Sequence, residues 1–500
     1  MRSRCARARL SLAGAAWLVA AGPPAAAEVV EFSMSVPGRV RHVTAVDLDG
    51  DTHADLAVLS QTGHALDAVQ HLSVFWQRPG STFAETPDTV WEVDRGTVAL
   101  DLSPAGGKTG VAAAVYSLRA DGVREHRFGR LAGVESRVVL ETALDHLVPA
   151  DQWTAVIDFV ADWRGMGSEA LVPEFPHPRL FPLNGGGPAA GVALRTEPVA
   201  TYWTSGSDKE LRDATLNLLY SFPVPVAADQ DGDGRDEIAF VERDRVTVFD
   251  TAARDGEGNA LAKKVYPVRI LNDEEAASDR FTVQTRLVDL DGDGRADLLA
   301  VVYRDAGILE LEGRVVVFLA RSDGSFAPAP DQEIVLAHAL YSLTHVLDLD
   351  GDGAREIVLP SADLGLWGYL RVLTTRKVSF DFNTLARAGK KAFDTSAMAR
   401  DEMTARLSKD HDLPVVKLQD MNGDGIVDVL IGSAEDRVCI HDGIRDPAHR
   451  FRSKPATCFE ADPYAVYVVV SLSDTGRRDL VRHDPVGKDP GRLVLTVLRE

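Results

Sequence analysis

One acidic loop recurs five times along these 500 residues, and that recurrence constrains the fold more than any other feature. The copies are 47–56 (DLDGDTHADL), 229–238 (DQDGDGRDEI), 289–298 (DLDGDGRADL), 348–357 (DLDGDGAREI) and 420–429 (DMNGDGIVDV). Their shared pattern is D-x-[DN]-G-D-x-x-x-[DE]-apolar, with Gly at the sixth place in four copies and Thr52 in the first. Short β-branched runs flank them, such as 43–46 (VTAV) before the first copy and 298–302 (LLAVV) after the third. Each copy therefore reads as strand, loop, strand.

The spacing shows where copies have eroded. Asp229 to Asp289 spans 60 residues and Asp289 to Asp348 spans 59, while Asp348 to Asp420 spans 72 and leaves room for an insertion. Asp47 to Asp229 spans 182, about three periods, so two copies are missing between them. Degenerate candidates lie at 98–107, which keeps Asp101, and at 157–171, which keeps Glu169; a third follows at 467–480, ending on Asp479-Leu480. The total is eight units of roughly 60 residues, each with about four strands; in the first these fall at 43–48, 56–59, 72–76 and 89–93.

Tandem four-stranded units predict an all-β chain folded as a β-propeller, because radial repetition leaves only short, protected sheet edges. The repeat count gives eight blades, with seven as the alternative, and an open β-solenoid is the rival architecture. The last unit lacks a fourth strand, whereas 29–36 (VVEFSMSV) is a spare strand ahead of the first loop. Pairing the two would close the ring within one domain spanning 28–500.

With these loops in view, the chain resembles the FG-GAP/VCBS repeat proteins, whose blades are like those of the integrin α-chain propeller. Weaker matches to that family's turn and aromatic are Gly80-Ser-Thr-Phe83-Ala and Gly324-Ser-Phe326-Ala. The resemblance implies a loop between the first and second strands of a blade that binds Ca²⁺. The three eroded copies are expected to bind none.

The residue chemistry agrees. Ca²⁺ takes six to eight hard oxygen ligands, and carboxylates at alternate positions of a tight loop can converge on one point. In the third full copy Asp289, Asp291 and Asp293 would give side-chain oxygens, Arg295 its backbone carbonyl, and Asp297 would close the shell. The equivalent sets are Asp47, Asp49, Asp51, His53, Asp55; Asp229, Asp231, Asp233, Arg235, Glu237; Asp348, Asp350, Asp352, Ala354, Glu356; and Asp420, Asn422, Asp424, Ile426, Asp428. An EF-hand needs Glu at the twelfth place between helices. Here the twelfth residues are Val58, Phe240, Ala300, Leu359 and Ile431, all apolar and in strand-like runs. Plain Asp-Gly hairpin turns are the simpler alternative, but they do not require three or four acids in nine residues, five times over.

The remaining features set the context. Arg2, Arg4, Arg7 and Arg9 precede an apolar run at 10–21 and an Ala25-Ala26-Ala27 site, the layout of a signal peptide spanning 1–27. Its removal takes the net charge from −21 to −25, which argues against nucleic acid or an anionic membrane as partner. No other stretch reaches spanning length, so export to the periplasm or the extracellular space is expected. Cys439 and Cys458 remain after cleavage and suit a disulfide there. Insertions are expected near 205–220 and 383–411, both with helical patterns, and a short acidic one at 272–280. Hydrolase, phosphate-cradling and metal-histidine motifs are missing, and no catalytic residue is assigned. The expected role is an exported calcium-binding propeller that recognises a protein or glycan, as adhesion modules do. The alternative is a lyase-like polysaccharide enzyme on the same scaffold.

Overall fold

The computed structural model describes residues 28–499 apart from 64–66, 81, 103–112, 145–153, 166, 184–190, 197–198, 206–214, 256–259, 279, 305–312, 363–373, 388–392, 396–397, 407–414, 435–436, 461–464 and 473–476. The expected signal segment, 1–27, lies outside the described residues.

The five acidic loops each join the first and second strands of an antiparallel four-stranded sheet, and eight such sheets form a β-propeller. Blade 1 runs Arg39–Val46, Asp55–Thr62, Val69–Phe75 and Thr89–Glu92. Blade 2 runs Thr97–Asp101, Val115–Arg119, Gly122–Gly129 and Gly133–Glu141, with Ala155–Val156 added parallel to its first strand. Blade 3 has short strands, Val160–Ala161, Glu169–Val172, Arg179–Pro182 and Val192–Ala193. Blades 4 to 7 begin at Pro225–Ala228, Phe281–Val288, His345–Leu347 and Val416–Gln419. Their second strands are Glu237–Val241, Asp297–Arg304, Glu356–Ser361 and Asp428–Ala434.

Blade 8 supplies three strands of its own, Val466–Val470, Asp479–His483 and Arg492–Arg499. Its fourth is Glu28–Ser35, paired antiparallel to Arg492–Arg499 from Glu28↔Arg499 to Ser35↔Arg492. The spare N-terminal strand therefore closes the ring.

The core lies between blades. Among the described residues, eight apolar clusters each join two neighbouring blades, one for each junction of an eight-membered ring. Met34, Val43, Val58, Val481 and Leu495 seal blade 8 to blade 1. Second strands are covered on both faces, so they carry unbroken apolar runs; 298–302 is buried throughout. The first strand of blade 5 instead alternates half-buried and exposed residues.

Two helical expectations are overturned. Thr215–Ser221 is a strand, paired with Val199–Ser205 in a separate hairpin. Its Thr-Leu-Asn-Leu-Leu-Tyr run is suited to a ladder, while 206–214 lie outside the described residues. Ala399–Arg406 is the outer strand of blade 6, paired with Lys377–Leu385. Its residues alternate strictly, with Ala399, Asp401, Met403 and Ala405 buried and Arg400, Glu402 and Thr404 exposed. Sheet pairing overrode the helix preference of Ala, Arg, Glu and Met. The acidic stretch near 272–280 does hold a short helix, Asp273–Ala276, capped reciprocally by Asn272 and Glu275.

Candidate metal centre

Every intact loop is built on the same hydrogen-bond frame. The first Asp accepts two backbone N–H groups, from the fourth and sixth residues. Asp289 takes them from Gly292 at 2.6 Å and Gly294 at 3.0 Å. Asp47, Asp229, Asp348 and Asp420 do the same. The fifth-place Asp accepts the N–H of the seventh residue, so His53, Arg235, Arg295, Ala354 and Ile426 are held by their amides. The fourth and sixth residues have positive φ, which Gly adopts at no steric cost. Thr52 holds the sixth place of the first loop at φ 73°, where its Cβ is strained.

The closing acid is the buried acid of each loop. Asp55, Asp297 and Asp428 are 0%, 1% and 0% exposed. Asp297 accepts the Leu290 N–H at 2.8 Å within its loop and the Ala320 N–H at 2.7 Å beyond the third strand. Asp55 bridges Leu48 and Gln77 in the same way, and Asp428 bridges Met421 and Gly443. The longer Glu237 and Glu356 hold the loop amides of Gln230 and Leu349. Burial, reinforced by neighbouring acids, pushes Asp55 up to about 6 and Glu237, Asp297, Glu356 and Asp428 up to about 7.

Four loops bring three carboxylates together, each offering an oxygen within 4.8 Å of the other two: Asp47, Asp49 and Asp55; Asp229, Asp231 and Glu237; Asp289, Asp291 and Asp297; Asp348, Asp350 and Asp352. Asp51, Asp233 and Asp293 lie outside these triads, and in blade 6 Asp352 takes the place expected of Glu356. The blade 7 residues Asp420, Asn422, Asp424 and Asp428 form no such triad among the described residues.

The donor sets fit a hard divalent cation. They are all oxygen, the acids repel one another, and desolvation leaves the closing carboxyl hard to ionise without a counter-charge. Blade 4 adds an independent sign. Gln230, 2% exposed, gives its Nε2 protons to the carbonyls of Ala296 and Gly324, yet its Oε1 has no partner. Gln230 also lines a cavity of about 10 Å³ with Asp231 and Glu237. That is close to the space one small ion or water needs. Sequence reading passed over Gln230, although its polarity marked it out where the other copies have Leu48, Leu290, Leu349 and Met421.

Among the described residues, the eroded copies show no acidic cluster. In blade 3 the Arg164 guanidinium pairs with Glu169, at 3% and 1% side-chain exposure. In blade 2 Asp101 accepts the N–H groups of Phe159 and Val160 from blade 3 at 2.7 and 2.6 Å. Asp479 begins the second strand of blade 8 and is 1% exposed.

Arginines from the following blade, which sequence reading also missed, reach two of the triads. Arg130, in the turn after the third strand of blade 2, contacts Asp49 and donates to Asp51 at 2.6 Å, stacked 5.8 Å from Trp76. Arg450 of blade 7 donates to Asp350 at 2.7 Å, and Arg445 to the Asp350 carbonyl at 2.9 Å. No signal within one repeat could have revealed contacts that cross blades.

Beside the blade 7 loop is a groove of about 1190 Å³ whose walls include Arg400, Asp424, Asp442, His449, Phe451 and Arg452. Cys439 and Cys458 stand directly opposite each other on neighbouring strands and are joined by a disulfide. Among the described residues no helix is long and apolar enough to cross a membrane.

The FG-GAP-like repeat family matches residues 289–359. That stretch runs from the blade 5 loop to the second strand of blade 6. No curated protein matches the chain. Solved structures with a similar course include an Agrocybe aegerita lectin, whose description concerns recognition of non-reducing terminal N-acetylglucosamine, at 15% identity and TM-score 0.36, covering 87% of this chain and 95% of that one. A second is BBS1N in complex with ARL6DN, at 11% identity and TM-score 0.33, covering 94% and 96%. A third is the dihydro-heme d1 dehydrogenase NirN, at 13% identity and TM-score 0.37, covering 91% and 76%. The chain thus carries an FG-GAP-like repeat within an eight-bladed β-propeller whose blade loops gather acids able to hold metal ions.

Proposed function

We propose that this chain is an exported, calcium-stabilised propeller that recognises a protein or glycan partner and carries out no chemistry of its own. The observation that carries the reading is the carboxylate triad, formed at equivalent places in four blades. The ligand sets extend to the full loops, Asp420, Asn422, Asp424 and Asp428 included. Calcium bound there would neutralise carboxylates that the fold has pulled out of water, and so would brace the turn between a blade's first two strands. Millimolar calcium outside the cell would keep even weak sites of about 10⁻⁴–10⁻³ M filled. The disulfide and the signal-like first 27 residues support an oxidising compartment.

Recognition is supported by the groove beside the blade 7 loop. It exceeds the usual span of small-molecule pockets, about 300–1,000 Å³, and mixes charged walls with apolar ones. An oligosaccharide or a peptide strand is a better match in size than a metabolite. Metal analysis of the purified protein, with melting followed in calcium and in chelator, tests the first half of the reading. Absence of calcium together with an unchanged melting point would end it. Glycan arrays and pull-downs from envelope extracts, compared with an Arg452→Glu variant, test the second half.

A further inference from the structure

The four triads differ in how arginine meets them. In blades 4 and 5 the paired arginine belongs to the loop itself: Arg235 sits on Asp233, and Arg295 on Asp293. Asp233 and Asp293 lie outside their triads; Arg387 of blade 6 reaches the blade 5 loop at the Leu290 carbonyl, 3.3 Å, and acts on Asp291 through its charge, but among the described residues it forms no ion pair with a triad oxygen. In blades 1 and 6 the arginine comes from the next blade and grips a triad member, Asp49 through Arg130 and Asp350 through Arg450. Blade 3 shows the limit of this arrangement: Arg164 is buried on Glu169 in a loop that no longer has the acids to hold a metal.

We infer that Arg130 and Arg450 act as built-in counter-ions that compete with the divalent cation for the blade 1 and blade 6 loops. The metal sites would then fall into a tight class, blades 4 and 5, and an exchangeable class, blades 1 and 6. The inference rests on the calcium reading of these loops. Its physical ground is that one carboxylate cannot serve a guanidinium and a metal ion at full strength, so each must weaken the other. Because Arg130 and Arg450 stand on the following blade, loading an exchangeable site would release a contact between blades. Arg130 is suited to such a role, since its side chain is 39% exposed and has water to move into. Arg450 is tighter, at 10%.

The test is calcium titration by calorimetry on the full metal-stripped chain, comparing wild type with Arg130→Gln, Arg450→Gln and the control Arg269→Gln, whose ion pair with Asp273 lies outside every loop. An exposed ion pair is worth about 0.2–1 kcal/mol, and Arg130 makes two, so Arg130→Gln should tighten one weak site by about twofold to thirtyfold. Arg450→Gln should tighten a second, and Arg269→Gln should leave both classes in place. A second readout is phenylglyoxal labelling followed by mass spectrometry. Arg130 should label faster in calcium than in chelator, while Arg164 stays protected in both. If wild type takes up no calcium, the calcium reading fails and this inference with it. If it takes up calcium but Arg130→Gln leaves every affinity unchanged and Arg130 labelling ignores calcium, the competition alone is refuted.

Discussion

Replacing Asp297 with Ala separates the architectural role of the closing acid from any role in metal binding. Asp297 is 1% exposed and accepts two backbone N–H groups, from Leu290 and Ala320. Truncation leaves both donors buried without an acceptor, at about 1–3 kcal/mol each. Loss of the carboxylate also relieves repulsion from Asp291 and Asp293, which offsets part of that cost. Glu356→Ala supplies the comparison. Glu356 is pushed to a similar pKa by similar causes, yet among the described residues the amide it accepts is that of Leu349 alone. The relief of repulsion should largely cancel between the two variants, so Asp297→Ala should be the less stable by about one stranded amide, 1–3 kcal/mol. Urea unfolding in chelator, followed by far-ultraviolet circular dichroism, reads the difference directly. Equal midpoints for the two variants, or an Asp297→Ala as stable as wild type, would refute the view that this carboxylate ties the loop to the third strand.

Other substitutions reach different parts of the argument. Thr52→Gly should raise stability by about 1 kcal/mol in thermal or urea unfolding, because it removes a β-branched residue from positive φ and keeps the amide bonded to Asp47. Replacing Cys439 and Cys458 together with Ser should cost about 3 kcal/mol, the entropy of a loop of this length, read as a lower urea midpoint relative to oxidised wild type. The closing acids titrate at about 6 to about 7 when folded, against 3.8 for Asp and 4.5 for Glu in the unfolded chain. Without metal the folded state therefore holds extra protons in that window, and these groups lose stability as pH rises through it. Calcium needs the ionised form, so the rise in melting temperature on adding calcium should be larger near pH 8 than near pH 5; an equal rise at both would count against carboxylate ligation.

What the sequence made legible was whatever repeats within one blade. Alternating acids at fixed spacing marked the five loops, and their period counted the blades even where 98–107 and 467–480 had lost the acidic pattern. The spare strand at 29–36 announced closure because its partner set was one strand short. Contacts between blades left no such trace. Arg130 and Asp49 lie 81 residues apart, and Arg450 and Asp350 lie 100 apart, so nothing local couples them. The outer strand Ala399–Arg406 was hidden for a different reason. A buried Asp401, which accepts the Arg450 N–H at 2.8 Å, interrupts its apolar face, and the remaining residues favour helix in isolation. Asp401 shows that a polar residue on an inward face can belong to a junction with the next blade rather than to a loop.

The pairing of Glu28–Ser35 with Arg492–Arg499 has a kinetic corollary. The side chains of Ser33 and Arg492 meet across a separation of 459 residues. Glu28–Ser35 must wait for a strand made so much later in the chain before its ladder hydrogen bonds can form. Until then the apolar faces of blade 1 and blade 8, among them Val43 and Leu495, have no neighbour to cover them. Contacts so distant along a chain form slowly, and exposed strand edges invite association with other chains. The interval between synthesis of Glu28–Ser35 and closure of the ring is thus the period of greatest vulnerability to aggregation.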